Sequence, residues 1–428
     1  MKRSSYKYID SGIMWLGNIP EYWEVKKFKH YYHSAMGNTI LKEELSDEAA
    51  IPVYSATEFI EVLGYIDNPN VLLHRDDFII PARGNSIGHV KLVEEVCTCT
   101  QTTIYARRLY PDRIYPYFVY WYQIGLRKKL YEFDNTAIPQ LTVRQVKDNP
   151  ILVPSMEEQK AIAIFLDHET ARIDALIRKK EQMVELLKEK RIALITQAVT
   201  KGLDPSVPMK DSGIDWLGQV PKHWTVSKFK NFGVFRSGAG FPDDEQGLED
   251  EEIPFYKVSD MNLPGNEIFM REHNNSVSLE TVLRLRASIF TRNTIVFAKV
   301  GAALLLNKRR ILTKNACIDN NMMGFFSQKC DVMWSYFYLY QLDLGKLVNP
   351  GAVPSVNESQ MSNILVCVPP AQEQKKIGNY LFTETTKINK VIDKVNASII
   401  QLSEYRASLI HHAVTGKIDL RDYDAQVQ

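Results

Sequence analysis

The sequence predicts an α+β fold in which one unit, a globular α/β domain followed by a long helix, occurs twice. Three observations predict it. Two blocks of sequence recur in the same order, the second block has the apolar spacing of a long helix, and 428 residues are too many for one ordinary core. We expect the two long helices to pair as an antiparallel coiled coil with pseudo-twofold symmetry.

The repeat consists of two matching blocks in each copy. Residues 10–29 (DSGIMWLGNIPEYWEVKKFK) recur as residues 211–230 (DSGIDWLGQVPKHWTVSKFK). A longer block from Ala137 recurs from Ala352 without a gap, and it runs into AVTKGLD in copy one and AVTGKID in copy two. Two blocks in the same order indicate a tandem duplication.

Between the blocks the copies differ. Residues 30–136 and 231–351 share only a coarse pattern, and the centre of copy two is 14 residues longer. A repeated framework around a varied centre indicates one scaffold that carries two different binding surfaces. Neutral drift of surface loops is the alternative explanation.

The longer block predicts a helix in each copy. Pro154 and Pro369 each end an apolar extended run, which suits the turn before a first helical position. Apolar residues then follow at spacings of seven or its multiples, interrupted in copy one by Lys180. The predicted helix–helix seam comprises Leu166, Ile173, Leu187, Leu194, Leu381, Ile388, Val395, Leu402 and Leu409.

A helix over residues 155–200 would be about 68 Å long. A narrow apolar stripe on so long a helix needs a partner, and the equivalent helix of the other copy is the expected one. The alternative is that each helix folds back on its own domain. The predicted boundaries are 1–153 for the first globular domain, 154–204 for the first helix, 205–368 for the second domain with a short proline-containing linker at 205–210, and 369–428 for the second helix and C-terminal tail.

Composition indicates a globular protein of the cytoplasm. The chain is 45% hydrophobic and 24% charged. Its N-terminus lacks the apolar core of a signal peptide, and no stretch approaches the roughly 20 apolar residues of a membrane span. Five cysteines are present, and the close pair Cys97 and Cys99 lacks the C-x-x-C spacing, so we expect reduced thiols.

Charge is distributed unevenly although the net charge is only +1. Residues 281–315 contain eight lysines and arginines and no acidic residue, whereas acids collect in residues 242–252 (PDDEQGLEDEE). A strongly basic DNA-coating protein is therefore not indicated, but a local basic surface is.

Catalytic motifs are not found. An N/D-P-P-Y/F methyltransferase box and a G-x-x-x-x-G-K-[ST] phosphate loop are missing, and SGAG at residues 237–240 is a poor nucleotide loop. The E-Q-K sequences at residues 158–160 and 373–375 resemble half of a nuclease site, but both stand at predicted helix starts. We interpret them as helix-start polar residues. No cofactor and no metal site is predicted.

The repeated motifs resemble those of Type I restriction–modification specificity subunits. They are E-Q-K-x-I at residues 158–162 and 373–377, after proline-ended strands, and W-L-G-x-[IV]-P-x-x-W at residues 15–23 and 216–224. Inside the domains, IPVYSA with IIPARGNSIGHV, and IPFYKVSDMN with IVFAKVGAALL, resemble strand and loop elements of the family.

The resemblance implies two target-recognition domains, each reading one half of a bipartite double-stranded DNA target. It also implies a non-catalytic subunit that assembles with two modification (methyltransferase) subunits and, in the full complex, with restriction/translocase subunits. The paired helices would then set the spacing of the half-sites. Partner subunits would share the phosphate contacts, which fits the modest net charge.

Base-reading residues cannot be carried over from the family, so we choose them by chemistry. Arginine suits guanine and asparagine suits adenine in the major groove, whereas other cations suit phosphates. The candidates are Arg83, Asn85, Ser86, Gln101 and Thr102 in copy one, and Lys257, Ser259, Asp260, Lys299, Lys308, Arg309 and Arg310 in copy two. We assign Lys308, Arg309 and Arg310 to phosphates, so Lys308→Ala should weaken binding to all sequences and lower the salt slope by about one.

The framework tryptophans Trp15, Trp23, Trp216 and Trp224 are predicted to lie in the cores rather than to stack on bases. Two rival functions are considered. One is a scaffold or decoy that binds a methyltransferase without reading DNA. The other is a self-contained restriction–methylation protein, which the missing catalytic motifs argue against.

Overall fold

The computed structural model describes residues 6–131, 140–348 and 353–423. The chain divides into two units, one made of Met1–Glu181 with Asn396–Gln428 and the other made of Gln182–Val395. We call them unit 1 and unit 2. Ala137 and Ala352, the first residues of the longer repeat block, lie outside the described residues.

Unit 1 is built on an antiparallel four-stranded sheet with the order β4-β10-β7-β8. A second sheet, β6-β5-β9, contains the parallel pair β5–β9, and the antiparallel two-stranded pairs β1–β2 and β3–β11 complete the strands. The strands are β1 Tyr8–Asp10, β2 Asn18–Pro20, β3 Glu24–Lys27, β4 Tyr32–Met36, β5 Ile51–Tyr54, β6 Val62–Ile66, β7 Phe78–Pro81, β8 Lys91–Leu92, β9 Thr98–Cys99, β10 Thr103–Arg108 and β11 Pro150–Val153.

Short helices follow the sheets of unit 1 and lead into the first long helix. They are α1 Pro116–Gly125, α2 Arg127–Leu130 and α3 Val143–Asp148, and the long helix is α4 Met156–Lys201. Thr142 caps α3 by accepting a hydrogen bond from the Gln145 N–H, and Ser155 accepts one from the Glu158 N–H at the start of α4. The predicted helix start is therefore confirmed in copy one.

Unit 2 repeats this plan with a five-stranded sheet of order β15-β22-β19-β20-β17 and a three-stranded sheet β18-β16-β21. The strands are β12 Met209–Asp211, β13 Gln219–Pro221, β14 Thr225–Lys228, β15 Gly233–Ser237, β16 Ile253–Tyr256, β17 Phe269–Met270, β18 Ser276–Val277, β19 Ile295–Ala298, β20 Arg310–Leu312, β21 Cys317–Ile318, β22 Met322–Ser327 and β23 Leu365–Val368. The helices are α5 Leu279–Arg284, α6 Ala302–Leu305, α7 Val332–Gln341, α8 Glu358–Asn363 and α9 Ala371–Val414.

The extra length of copy two lies in one segment of its domain. Residues 55–77 connect β5 to β7 in copy one, whereas residues 257–294 connect the equivalent β16 to β19. The longer segment adds β17, which pairs in parallel with β20, and the helix α5. The variable centre therefore differs in architecture as well as in sequence.

The short linker predicted at residues 205–210 is not all linker. Met209 and Lys210 belong to β12, which pairs with β13, and the Lys210 ammonium donates to the Trp224 carbonyl at 2.6 Å. Residues 202–208 therefore connect the end of α4 at Lys201 to the second domain, in place of the predicted 205–210.

In unit 1 the beginning of α4 runs antiparallel to the end of α9. Arg406 of α9 donates two hydrogen bonds to the Asp174 carboxylate of α4, at 2.8 and 3.1 Å. Phe165, earlier on α4, packs edge-on against Tyr423, which follows α9. Residues earlier in α4 therefore contact residues later in the C-terminal segment, as antiparallel packing requires.

In unit 2 the end of α4 meets the beginning of α9 in the same antiparallel way. Arg191 donates to the Asn389 side-chain oxygen at 2.6 Å, and Gly202, just after α4, lies against Glu373 in the first turn of α9. The pairs correspond, because Arg191 and Arg406 are equivalent in the repeat, as are Asp174 and Asn389.

The nine predicted seam residues are all buried or half-buried. The buried ones are Leu166, Ile173, Leu381, Ile388, Val395 and Leu409, and the half-buried ones are Leu187, Leu194 and Leu402. Both partners considered from the sequence are present. The core of unit 1 contains Leu166 and Ile173 from α4 together with Ile410 and Val414 from α9. Each long helix packs its first part on its own domain, and its last part enters the core of the other unit.

The repeated E-Q-K motif joins the helix start to the domain. Glu158 accepts a hydrogen bond from the Trp23 indole at 3.2 Å, and Glu373 accepts one from the Trp224 indole at 3.2 Å. Gln159 accepts a hydrogen bond from the Tyr115 N–H at the start of α1. These contacts agree with the interpretation of the motif as helix-start polar residues.

The predicted core tryptophans behave differently. Trp23 and Trp224 are buried and Trp15 is half-buried against the core of unit 1. Trp216 is 50% exposed, so its assignment to the core is wrong. The neighbouring Ile214 and Leu217 supply the buried side chains of that turn instead.

Candidate nucleic-acid interface

Three loops at the ends of strands in unit 1 are joined by hydrogen bonds. The Ser86 hydroxyl donates to the Ala56 carbonyl at 2.7 Å, and the Ala56 N–H donates to the Thr102 hydroxyl at 3.3 Å. The Ala82 N–H donates to the Thr102 carbonyl at 3.0 Å. The structure thus brings together the loops after β5, β7 and β9, which carry all five candidates of copy one.

The five candidates of copy one differ in exposure. Arg83 and Asn85 are exposed, while Ser86, Gln101 and Thr102 are half-buried. Arg127 anchors the loop after β7, because its Nε donates to the Ile87 carbonyl at 2.8 Å. Arg83 and Asn85 are therefore presented on an anchored loop, whereas Ser86 and Thr102 also serve to join the loops.

Residues beside these loops were missed by sequence reasoning. The Lys91 ammonium, buried under the loop after β5, donates to the Ser55 carbonyl at 3.1 Å and to the Thr57 hydroxyl at 2.6 Å. Burial lowers the pKa of Lys91. Beyond that anchor, Phe59 and Ile60 are largely exposed. The sequence signal was present, because an apolar pair in a polar loop is unusual.

Unit 2 contains the same set of loops. The Lys299 N–H donates to the Asn321 carbonyl at 2.8 Å, as Ala82 does to Thr102 in unit 1. Gly301 and Gly84 then follow, each with a positive φ, at 73° and 71°. Lys299 is half-buried and corresponds to Ala82, so the position of Arg83 is occupied by Val300.

The equivalence identifies Asn320 and Asn321 as site residues that sequence reasoning missed. They follow β21 as Gln101 and Thr102 follow β9, and both are exposed. The signal was a polar group after a short buried strand, T-Q-T in copy one and D-N-N in copy two. The low sequence identity between the centres concealed it.

A glycine opens the same loop cluster in each unit. A Cβ at Gly37 would collide with the Thr100 carbonyl, and a Cβ at Gly238 would collide with the Asp319 carbonyl. Close approach of two backbones therefore requires glycine here, and it explains the S-G-A-G sequence that is a poor nucleotide loop.

Of the candidates after β16, one is withdrawn. Lys257 is half-buried with its ammonium on the Gln246 side chain at 2.7 Å, and Ser259 is exposed. Asp260 is fully buried and accepts hydrogen bonds from the Lys257 N–H at 2.7 Å and the Asn274 amide at 3.0 Å. Burial raises the pKa of its carboxyl. Asp260 shapes the loop and is not available to DNA.

The prediction that Arg309 and Arg310 contact the phosphates of DNA is wrong. Arg309 is only 1% exposed, donates to the Leu342 carbonyl at 3.2 Å and stacks its guanidinium 5.1 Å from the centre of the Phe297 ring. Burial lowers its pKa to about 10. Arg310 is also buried and donates to the Met261 carbonyl at 2.9 Å. A run of basic residues in the sequence thus has two members pointing inward.

The remaining basic segment is partly neutralised. Lys308 is half-buried and its ammonium donates to the Asn262 side chain. Arg284 forms an ion pair with Glu245 from the acidic segment. The separation of basic and acidic stretches in the sequence is therefore not a separation in space.

Within the described ranges, histidine, cysteine and acidic side chains do not form a cluster that could hold a metal ion. Within those ranges, too, no helix combines the length and apolar character of a membrane span. All five cysteines are free thiols, four of them buried.

Comparison with known proteins matches this architecture. A family model described as "Type I restriction modification DNA specificity domain" matches residues 20–186 and 221–399. The MjaVIII specificity subunit of a Type I restriction enzyme from Methanocaldococcus jannaschii is 22% identical, and the alignment covers 94% of this chain and 95% of that protein. The EcoBI specificity subunit from Escherichia coli is 23% identical over 66% of this chain and 61% of its own length.

Two solved structures have a similar fold. One, from "Structural basis underlying complex assembly and conformational transition of the type I R-M system", superposes with a TM-score of 0.69 at 13% identity and covers 94% of this chain and 99% of its own. The HsdS subunit from Thermoanaerobacter tengcongensis gives a TM-score of 0.54 at 13% identity, covering 94% of this chain and 98% of its own. At these identities the likeness concerns the fold.

Proposed function

The chain belongs to the family of Type I restriction–modification DNA specificity domains, and we propose that it reads a bipartite target in double-stranded DNA. It is a specificity subunit with two target-recognition domains. The observation that carries the proposal is the loop cluster, which is built twice on the same backbone plan with different side chains. Two loop clusters with the same backbone plan and different side chains suit two domains that read different half-sites.

The residues that we propose for reading DNA are the sequence candidates that are not enclosed in the structure, together with two residues found by comparing the loops of the two units. In unit 1 they are Arg83, Asn85, Ser86, Gln101 and Thr102, and in unit 2 they are Lys257, Ser259, Lys299, Asn320 and Asn321. Arginine and asparagine side chains on anchored loops have the donors and acceptors that major-groove edges require. We assign Lys308 to a phosphate near the second half-site.

We propose that the long helices set the distance between the half-sites. Helix α4 alone would extend about 69 Å, many times the length of one base-pair step. A pair of helices packed along a common seam resists bending better than a loop of the same length. The domain boundaries for this arrangement are those given by the repeat, 1–153, 154–204, 205–368 and 369–428.

We further propose that the long helices dock two modification subunits, and through them restriction subunits. The support is a set of large apolar side chains on α4 and α9 that remain exposed. They are Ile164, Leu176, Met183, Leu186 and Ile192 on α4, and Tyr380, Val391, Ile400 and Tyr405 on α9. Leu176 and Val391 are equivalent in the repeat, as two equivalent partners would require. The chain itself would be non-catalytic, without cofactor, and would act in the cytoplasm where its DNA lies.

One experiment tests the proposal against its rivals. The chain is co-expressed with a modification subunit encoded beside it, and methylated adenines are mapped across the genome. A motif in two parts separated by a fixed spacer supports the proposal. Methylation without a motif would instead indicate a non-reading scaffold, and methylation by the chain alone would indicate a self-contained enzyme.

A further inference from the structure

Unit 2 contains a cavity of about 450 Å³ between the domain and its segments of the long helices. Its wall is unusually rich in basic groups. Lys188, Arg191, Lys308 and Arg310 line it, against the acidic Glu267 and Asp393. Lys188 already pairs with Glu185 at 2.8 Å, so three cations remain to be accounted for.

The hydrogen-bond partners of the three cations are all neutral. Arg191 donates to the Asn389 side-chain oxygen at 2.6 Å and to the Tyr340 hydroxyl at 3.5 Å. Lys308 donates to the Asn262 side chain, and Arg310 to backbone carbonyls. In the described part of the chain, no carboxylate lies within 4.0 Å of any of the three.

Two guanidinium groups at the cavity also have unused donors. The Nε atoms of Arg191 and Arg310 are buried and have no hydrogen-bond partner among the described residues. Arg310 is more than nine-tenths buried. A buried cation with an unpaired donor is costly, so such groups are usually paired or bind an anion.

In unit 1 the arginine equivalent to Arg191 is neutralised by a carboxylate of the protein. There Arg406, the equivalent of Arg191, forms two hydrogen bonds with the Asp174 carboxylate at 2.8 and 3.1 Å. In unit 2 the equivalent of Asp174 is Asn389, which is neutral. One change from carboxylate to amide thus leaves Arg191, beside Lys308 and Arg310, without the hydrogen-bonded carboxylate that its equivalent has.

We propose that this cavity binds a phosphate group. A guanidinium fork, a second arginine, an ammonium and the Tyr340 hydroxyl offer donors from several directions, which is the arrangement that phosphate oxygens accept. The volume leaves space for an organic group beside the apolar wall formed by Ile195, Leu306 and Ile392. The ligand is free phosphate or a small phosphate ester.

The site adjoins a proposed reading loop. Lys308 and Arg310 contact Asn262 and Met261, which end the 3-10 helix Val258–Asn262. A phosphate bound in the cavity would compete for Lys308 with Asn262 and with the DNA phosphate to which we also assign this residue. The phosphate site itself stands on the cavity and does not depend on the DNA-reading function.

The test compares wild type with Asn389→Asp, which supplies the carboxylate found in unit 1. Thermal unfolding and titration calorimetry are measured with inorganic phosphate, with AMP, and with chloride at matched ionic strength. We expect phosphate or AMP to raise the Tm of the wild type beyond chloride, because a ligand of the native state stabilises it. Tighter binding of AMP identifies an ester as the ligand, and equal binding identifies free phosphate.

For Asn389→Asp we expect affinity for phosphate to fall at least about tenfold, which corresponds to about 1.4 kcal/mol. Arg191→Gln should show the same loss and guards against a folding defect in the first variant. The matched control is Asp174→Asn in unit 1, which should leave phosphate binding unchanged. A wild type that responds equally to phosphate, AMP and chloride, or an Asn389→Asp chain that binds phosphate as well as wild type, overturns the proposal.

Discussion

At the scale of single residues, the same side chain serves the fold or the surface according to its surroundings. Glu158 is charged and polar in the sequence, yet it is buried and receives hydrogen bonds from Tyr6, Tyr22 and Trp23. Arg83 stands exposed on an anchored loop, whereas Arg309 is enclosed by Phe297 and the protein backbone. Substitution of an enclosed residue such as Glu158 therefore tests stability, whereas substitution of the exposed Arg83 tests recognition.

Arg83→Ala tests recognition in unit 1. We expect discrimination at one base pair of one half-site to fall by about 1–3 kcal/mol, because a bidentate arginine contact is lost. The measurement is methylation of duplexes with single base changes by the chain assembled with modification subunits. Arg144→Ala, which removes an exposed arginine outside the loop cluster, should change nothing. Equal methylation rates for Arg83→Ala and wild type on all duplexes would remove the loop from the reading surface.

Asn320→Ala makes the corresponding test in unit 2. It should relax the other half-site and leave the half-site affected by Arg83→Ala unchanged, because each domain carries its own loops. The same duplex series measures both variants. Loss at the half-site already affected by Arg83→Ala would contradict the assignment of one domain to each half.

Glu158→Gln tests the pH dependence of a buried carboxyl. Burial raises the pKa of Glu158, so the folded chain holds the proton more tightly than the unfolded chain. The stability contributed by the neutral form is present at low pH and is lost as pH rises through the raised pKa. We expect the Tm difference, wild type minus Glu158→Gln, to decrease from about pH 4 to about pH 8. Exposed Glu157→Gln is the control, and a difference that grows with pH would contradict the sign.

At the scale of elements, the long helices carry two separate sets of apolar residues. The seam residues are buried or half-buried in the units, while Leu176 and its neighbours in the exposed set remain accessible. Only two residues separate Ile173 in the seam from Leu176, which is 41% exposed. One turn of α4 thus contains a residue for folding and a residue that we propose for docking.

Substitutions in that turn separate the two roles. Ile173→Ala, at a site 2% exposed, should lower the free energy of unfolding of unit 1 by about 2–4 kcal/mol, because it leaves a cavity. Leu176→Ala should cost about 0.5 kcal/mol in the isolated chain but weaken capture of the modification subunit. Denaturant unfolding and co-purification measure the two effects. Full co-purification with Leu176→Ala and with Leu176→Asp would place the docking surface elsewhere.

At the scale of the whole molecule, the duplication supplies two target-recognition domains and two helices that are continuous from one unit into the other. Helix α4 begins in unit 1 and ends in unit 2, and α9 does the reverse. The cores therefore depend on both copies, since Ile195 and Val199 of α4 lie in the core of unit 2 and their equivalents Ile410 and Val414 lie in the core of unit 1. A single copy of the repeat would lack half of its helix packing.

Lengthening both helices tests the proposed spacer. One heptad inserted after Gln182 and another after Ala397, the equivalent position, keeps the seam in register. Seven residues add about 10.5 Å of helix, or about three base pairs at about 3.4 Å each. The mapped target should keep both half-sites and gain a longer spacer. A four-residue insertion in α4 alone, which breaks the register, is the control and should abolish site-specific methylation. An unchanged spacer with the paired heptads would contradict the spacer proposal.

The sequence by itself determined the duplication, the two long helices, their seam and the strands before them. These follow from local periodicity and from recurrence, which need no knowledge of distant contacts. Only the tertiary structure decided that Arg309, Arg310 and Asp260 are enclosed, that Asn320 and Asn321 occupy the places of Gln101 and Thr102, and that Trp216 is exposed. It also decided that each long helix ends in the core of the unit opposite to the one in which it begins. The physical reason is that burial depends on which distant segments pack together. The local sequence around a basic or polar residue does not show whether its side chain will be buried or exposed.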